Sequence, residues 1–173
     1  PGNPPCVVDE TADIDAAGKG IVLGCSLDNN VVCIAEKEVL VVDQVADALR
    51  ESMCRQGAHL IEGENLRKLE ALLITPDDHV NRSFIGKDAA YIADAIGIRV
   101  PQSTRVLLCE VEENHPFVQH ELLMPVLGIM GASITFLISS ILVSIIKMSV
   151  FYKITTVNIS EFIIINKEIP PCN

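Results

Sequence analysis

Short apolar runs alternate with helix-length amphipathic stretches along residues 1–126, and this alternation restricts the possible fold more than any other feature of the sequence. A chain that passes repeatedly from buried strand to helix and back builds crossover units, which lay their strands in parallel and cover the sheet with helices. Cys6-Val7-Val8 is an apolar run ended by Asp9 and Glu10 and reads as a buried strand. Asp13 is placed to cap a helix carrying Ile14, Ala17, Ile21 and Cys25 at helical spacing, although Gly18 and Gly20 lower its intrinsic propensity. The run Val39–Val42 predicts a second strand, and Asp43 is placed to cap a helix whose stripe of Val45, Leu49 and Met53 ends before Gly57. Leu66, Leu69 and Leu73 mark another helical stripe, followed by a loop at Pro76–Asn81. Ile85, Ala89, Ile92 and Ile96 predict a further helix closed by Gly97, Thr104–Val111 a strand, and Leu122–Ile129 the start of one more. The expected class is α/β, with a mainly parallel sheet and flanking helices.

Charge divides the chain at the end of this pattern. Residues 1–126 hold 21 of the 23 acidic and 10 of the 13 basic side chains, whereas Leu122–Ile146 is a span of 25 positions without a charge. On hydropathy that span is long enough to cross a bilayer. An acidic body without a Lys/Arg cluster offers phosphates no footprint, so no nucleic-acid partner is expected. The cysteines at 6, 25, 33, 54, 109 and 172 form no C-x-x-C pair and share no ligand spacing with the histidines, so no metal site is expected. With 49% apolar residues the chain does not depend on disulfides for a core, and its thiols read as reduced and cytosolic.

One stretch combines a polar turn with a thiol, running from Leu27 through Asp28, Asn29 and Asn30 to Cys33, Glu36 and Lys37. At the start of a helix, or beside Lys37, Cys33 would be a competent nucleophile. Among apolar Val31, Val32 and Ile34 it also fits an inert buried cysteine, and spacing alone leaves both readings open. Glu36 and Lys37 either neutralise each other or position the cysteine loop. His115 precedes Pro116 and reads as a turn residue, and His120 reads as a surface residue; a Cys-His dyad is the alternative for either. Gly18, Gly20 and Gly24 do not form G-x-G-x-x-G, so no nucleotide-binding turn is expected there.

Five segments in the same order resemble one family: Pro1-Gly2-Asn3-Pro4-Pro5; Asp9-Glu10-Thr11-Ala12-Asp13; Asp28-Asn29-Asn30 with Cys33, Glu36 and Lys37; His115-Pro116-Phe117; and Glu121-Leu122-Leu123-Met124-Pro125-Val126. They are similar to the CoA-acylating aldehyde dehydrogenases of the ethanolamine- and propanediol-utilisation type, and the resemblance covers residues 1 to about 128. It implies that Cys33 attacks a short-chain aldehyde, that NAD takes up hydride, and that CoA receives the acyl group from the sulfur. It further implies that Glu121 binds the nicotinamide ribose and that Asn29 and Asn30 serve the oxyanion or the positioning of the loop. Leu123 stands where broader aldehyde dehydrogenases place Phe. The family's oxyanion amide and nucleotide-binding domain would fall mostly upstream of Pro1. A homo-oligomer and enclosure in a bacterial microcompartment are implied for the intact enzyme.

The resemblance ends near Gly128. The expected division is therefore a partial catalytic domain at 1–128 and an unrelated hydrophobic tail at 129–173, arising from a frameshift or serving as a membrane anchor through 122–146. The chain reads as a fragment, cytoplasmic and inactive alone; a small membrane-anchored α/β binding module is the competing reading.

Overall fold

Residues 3–132 are described by the computed structural model of the chain. Expectations placed on residues 133–173, including most of the hydrophobic tail and Cys172, lie outside the described residues.

Five strands form one sheet: β1 (Pro5–Val8), β2 (Glu38–Val42), β3 (Ala58–Ile61), β4 (Val106–Glu110) and β5 (Val126–Ala132). Their spatial order is β1-β2-β5-β4-β3, and every neighbouring pair is parallel. The helices are α1 (Ile14–Cys25), α2 (Asp43–Arg55), α3 (Gly63–Leu73), α4 (Ala89–Ala95) and the single turn α5 (Pro116–Gln119). The expected α/β class with a parallel sheet is what the chain adopts.

Strand composition follows from having both faces covered. Val106 and Leu108 of β4 join Ile21, Leu49 and Met53 on the α1/α2 face. Leu107 and Cys109 join Leu69, Leu73 and Ile92 on the α3/α4 face. A strand buried on both sides has no polar side to show, which is why β4 reads as an unbroken apolar run.

Several local expectations shift. Asp13 does cap α1, its carboxylate accepting from the Ala16 amide at 3.0 Å. Asp43 is the first residue of α2 and not its cap; the N-cap position belongs to Val42. Helix α4 begins at Ala89, because Asp88 accepts from the Tyr91 amide at 2.7 Å, and Ile85 lies outside it. Strand β3 is an addition to the expected elements. Strand β5 begins at Val126, not Leu122, and continues through residue 128 to Ala132. Residues 126–132 of the uncharged run are thus an interior sheet strand and not part of a bilayer-crossing helix, and no helix among the described residues is long and apolar enough to cross a membrane.

The two glycines that weaken α1 on propensity play different roles. A Cβ on Gly18 would strike the side chain of Ser52 on α2, whereas one on Gly20 would meet nothing within 4 Å. Gly18 is therefore the contact that lets α1 lie against α2, where Ser52 and Arg55 both donate to Asp15. Gly18→Ala is expected to destabilise the chain by about 1–3 kcal/mol through overpacking. Gly20→Ala is expected to stabilise it by roughly 0.5–1 kcal/mol. Urea unfolding of the two variants measures both signs.

Candidate active site

The turn after α1 is unusual in its backbone. Asp28, Asn29 and Asn30 have φ of 48°, 50° and 61°, three consecutive residues in the left-handed region. Left-handed backbone costs L-residues about 1–2 kcal/mol each, and Asn and Asp tolerate it best. Such a run persists only if its surroundings hold it. Asn29 Nδ2 donates to the Gly86 carbonyl at 3.0 Å. Asn30 is fully buried and donates to Cys25 Sγ at 3.0 Å and to the Glu36 carbonyl at 3.1 Å. Both side-chain amides thus tie the loop to its surroundings, an arrangement suited to positioning it.

Beyond the left-handed turn, Cys33 sits in a tight turn closed by the Ala35 amide donating to the Val32 carbonyl at 3.0 Å, and not at a helix start. Cys33 is solvent-exposed, as is Ile34 beside it. Among the described residues, no carbonyl accepts from the Cys33 amide. The other thiols differ. Burial pushes Cys25 up to about 12 and raises Cys109 as well. Cys6 is raised by burial and by Glu36, and Cys54 by partial burial, which Arg50 opposes.

Glu121 lies on the segment leading into β5, as Cys33 lies on the segment leading into β2. Because β2 and β5 are neighbours paired from Glu38↔Gly128 onwards, the two lead-in segments reach the same amino edge of the sheet. Open parallel sheets more often bind ligands beyond their carboxyl ends. Glu121 Oε1 is buried without a hydrogen-bond partner, and so are Glu38 Oε2 and Asn3 Oδ1, at or just before the amino ends of β2 and β1. A buried acceptor without a donor is costly, so this edge calls for donors supplied from outside the described residues. Burial also pushes the Glu38 carboxyl above the usual carboxylate range. Leu123 contributes its backbone carbonyl, which accepts from Gly86 at 3.0 Å and links this segment to the loop that receives Asn29.

Neither histidine is engaged with the thiol. His115 caps α5, its Nδ1 accepting from the Phe117 amide at 3.1 Å while Nε2 lies 3.5 Å from Glu70. Burial lowers its imidazole below the ordinary range, against the pull of Glu70. His120 Nε2 pairs with Asp78 at 2.8 Å. The turn and surface readings describe these residues, and the dyad geometry is not formed.

Of the two alternatives for Glu36 and Lys37, the bonds of Lys37 favour positioning of the cysteine loop over mutual neutralisation. Lys37 is 1% exposed and does not pair with Glu36. Its Nζ donates to the Asn30 carbonyl at 2.6 Å and to Asn30 Oδ1, and lies 3.5 Å from the Leu122 carbonyl. Desolvation pulls its ammonium below the usual range, opposed by Glu121, Cys25 and Cys33. The available signal was its phase: Ala35, Lys37, Val39 and Val41 alternate inward.

Solved structures and curated sequences place this parallel sheet with aldehyde dehydrogenases. A propionaldehyde dehydrogenase from the Clostridium phytofermentans fucose utilisation bacterial microcompartment superposes with a TM-score of 0.73 at 47% identity, over 76% of this chain and 30% of that one. Rhodopseudomonas palustris propionaldehyde dehydrogenase, solved with bound CoA and an acylated cysteine, gives 0.75 at 43% identity, over 76% and 30%. The acetylating acetaldehyde dehydrogenase EutE of Escherichia coli is 47% identical over 133 residues, 74% of this chain and 28% of that protein. No family model matches the chain. Over the matched stretch the chain belongs to the CoA-acylating aldehyde dehydrogenases, and it spans a little under a third of the length of these relatives.

Burial makes the thiols separable by experiment. In the folded chain, iodoacetamide at neutral pH is expected to modify Cys33 readily, and Cys25 and Cys109 only after denaturation, as read by peptide mass spectrometry. Early modification of Cys25 would contradict the packing described.

Proposed function

We propose that residues 3–132 provide the nucleophile-bearing part of an enzyme that converts a short aldehyde and CoA to acyl-CoA, with a nicotinamide dinucleotide as oxidant. The observation that carries this reading is the exposed Cys33 thiol on the segment beside that of Glu121, whose buried oxygen lacks a donor. A carboxylate accepts hydrogen bonds from ribose hydroxyls strongly, which suits Glu121 to that role.

The Cys33 thiolate adds to the aldehyde carbonyl carbon, and the carbonyl π pair moves onto oxygen. The Cys33 amide, which donates to no backbone carbonyl among the described residues, is free to donate to that oxygen. The nicotinamide, when bound, supplies the acceptor for the hydride that leaves the same carbon. Departure of hydride restores the C=O as a thioester on Cys33, and the CoA thiolate then displaces the Cys33 sulfur and takes the acyl group. Asn29 and Asn30 keep the thiol turn in place through their bonds to Gly86, Cys25 and Glu36. Enclosure within a bacterial microcompartment belongs to the same proposal, supported by the microcompartment origin of the Clostridium phytofermentans relative, and a homo-oligomeric assembly is what the resemblance implies.

The chain alone is expected to turn over no aldehyde. A chimera in which residues 3–132 replace the matched segment of the Escherichia coli acetaldehyde dehydrogenase is expected to form acetyl-CoA, followed by nucleotide reduction. In that chimera Cys33→Ala is expected to lower kcat by about a thousandfold or more. Glu121→Gln is expected to raise KM for the nucleotide by about tenfold, with aldehyde KM little changed. A chimera that stays fully active with Cys33→Ala ends the proposal.

A further inference from the structure

The buried lysine takes no part in the chemistry just described. An apolar chain of the same length would fill its space without the cost of stripping water from an ammonium, so packing alone gives no reason for a cation here. Its contacts suggest one. Nζ donates to the carbonyl and the side-chain oxygen of Asn30, the last left-handed residue before the thiol turn. The same atom reaches toward the carbonyl of Leu122, the residue after Glu121, 85 positions along the chain. Glu121, Cys25 and Cys33 are the ionisable groups whose charges act on it.

We propose that Lys37 is a positioning residue that clamps the left-handed Asp28–Asn30 turn to the Leu122 segment, so that Cys33 and Glu121 are presented as one unit. The proposal rests on the roles given to those two residues above. Without the ammonium, the carbonyl and Oδ1 of Asn30 lose their common donor inside the protein, and the left-handed turn loses one of its supports.

The test uses the 173-residue chain and competitive alkylation by iodoacetamide at Cys33 and Cys54, the latter lying on α2 and serving as internal reference. In Lys37→Met, shown by circular dichroism to be folded, the ratio of Cys33 to Cys54 alkylation rates is expected to shift about fivefold or more as the left-handed turn loses its support and the thiol is presented differently. A side chain that merely fills space would leave this ratio unmoved, and a ratio within about twofold of the unmodified chain overturns the clamp. Should Lys37→Met fail to fold, Asn30→Gly keeps the left-handed backbone and removes Oδ1. A shift in the ratio is then expected, and an unchanged ratio overturns the clamp. The outcomes remain separable from those above: an inactive chimera with Lys37 in place removes the enzymatic reading and leaves the alkylation ratio to judge the clamp. An active chimera with an unchanged ratio removes the clamp alone.

Discussion

The parallel pairing of β2 with β5 is the constraint on which the rest depends. Glu38 to Val42 run beside Gly128 to Ala132, so two stretches of chain about ninety residues apart in sequence arrive at one place. Side chains alternate across a strand, so a slip of one residue would turn every inward group of β2 outward. Val39 and Val41 are completely buried, and this fixes the register. The thiol turn and the Glu121 segment inherit their relationship from that register, without needing a direct bond between Cys33 and Glu121.

Much of the scaffold was legible because each strand buried on both faces leaves an apolar run, and each long helix leaves a stripe. The places where sequence reading fell short have particular causes. Strand β3 is four residues long and includes His59, too short and too polar to register as a run. Helix α4 spans seven residues, and its start is set by the carboxylate of Asp88, while Ile85 imitated helical spacing from the loop outside. Leu122 and Met124 are buried like strand residues, yet they line the approach to β5 and belong to the α3/α4 core.

The site was legible in a different way. Periodicity could not say whether Cys33 was inert or exposed; the resemblance of ordered segments singled it out, and the structure placed it in solvent. Asn29 and Asn30 were recognisable as turn formers, but the three-residue left-handed run and the inward path of Asn30 are tertiary facts. The loop-positioning role of Lys37 was legible as one of two alternatives, but its burial was not. A lysine is taken for a surface residue by default, because buried ammonium is rare, and only its phase with Val39 and Val41 hinted otherwise.

The sheet has two rims. Among the described residues β1 pairs only with β2, and β3 only with β4, so each presents one row of backbone donors and acceptors that no strand covers. On β1 this rim carries Val7, 53% exposed, and begins with Pro5, which has no amide hydrogen to offer. Such rims are templates for strand addition. A rim only four residues long and opened by a proline is a blunted template, so it limits how far a strand from another chain could lengthen the sheet on that side.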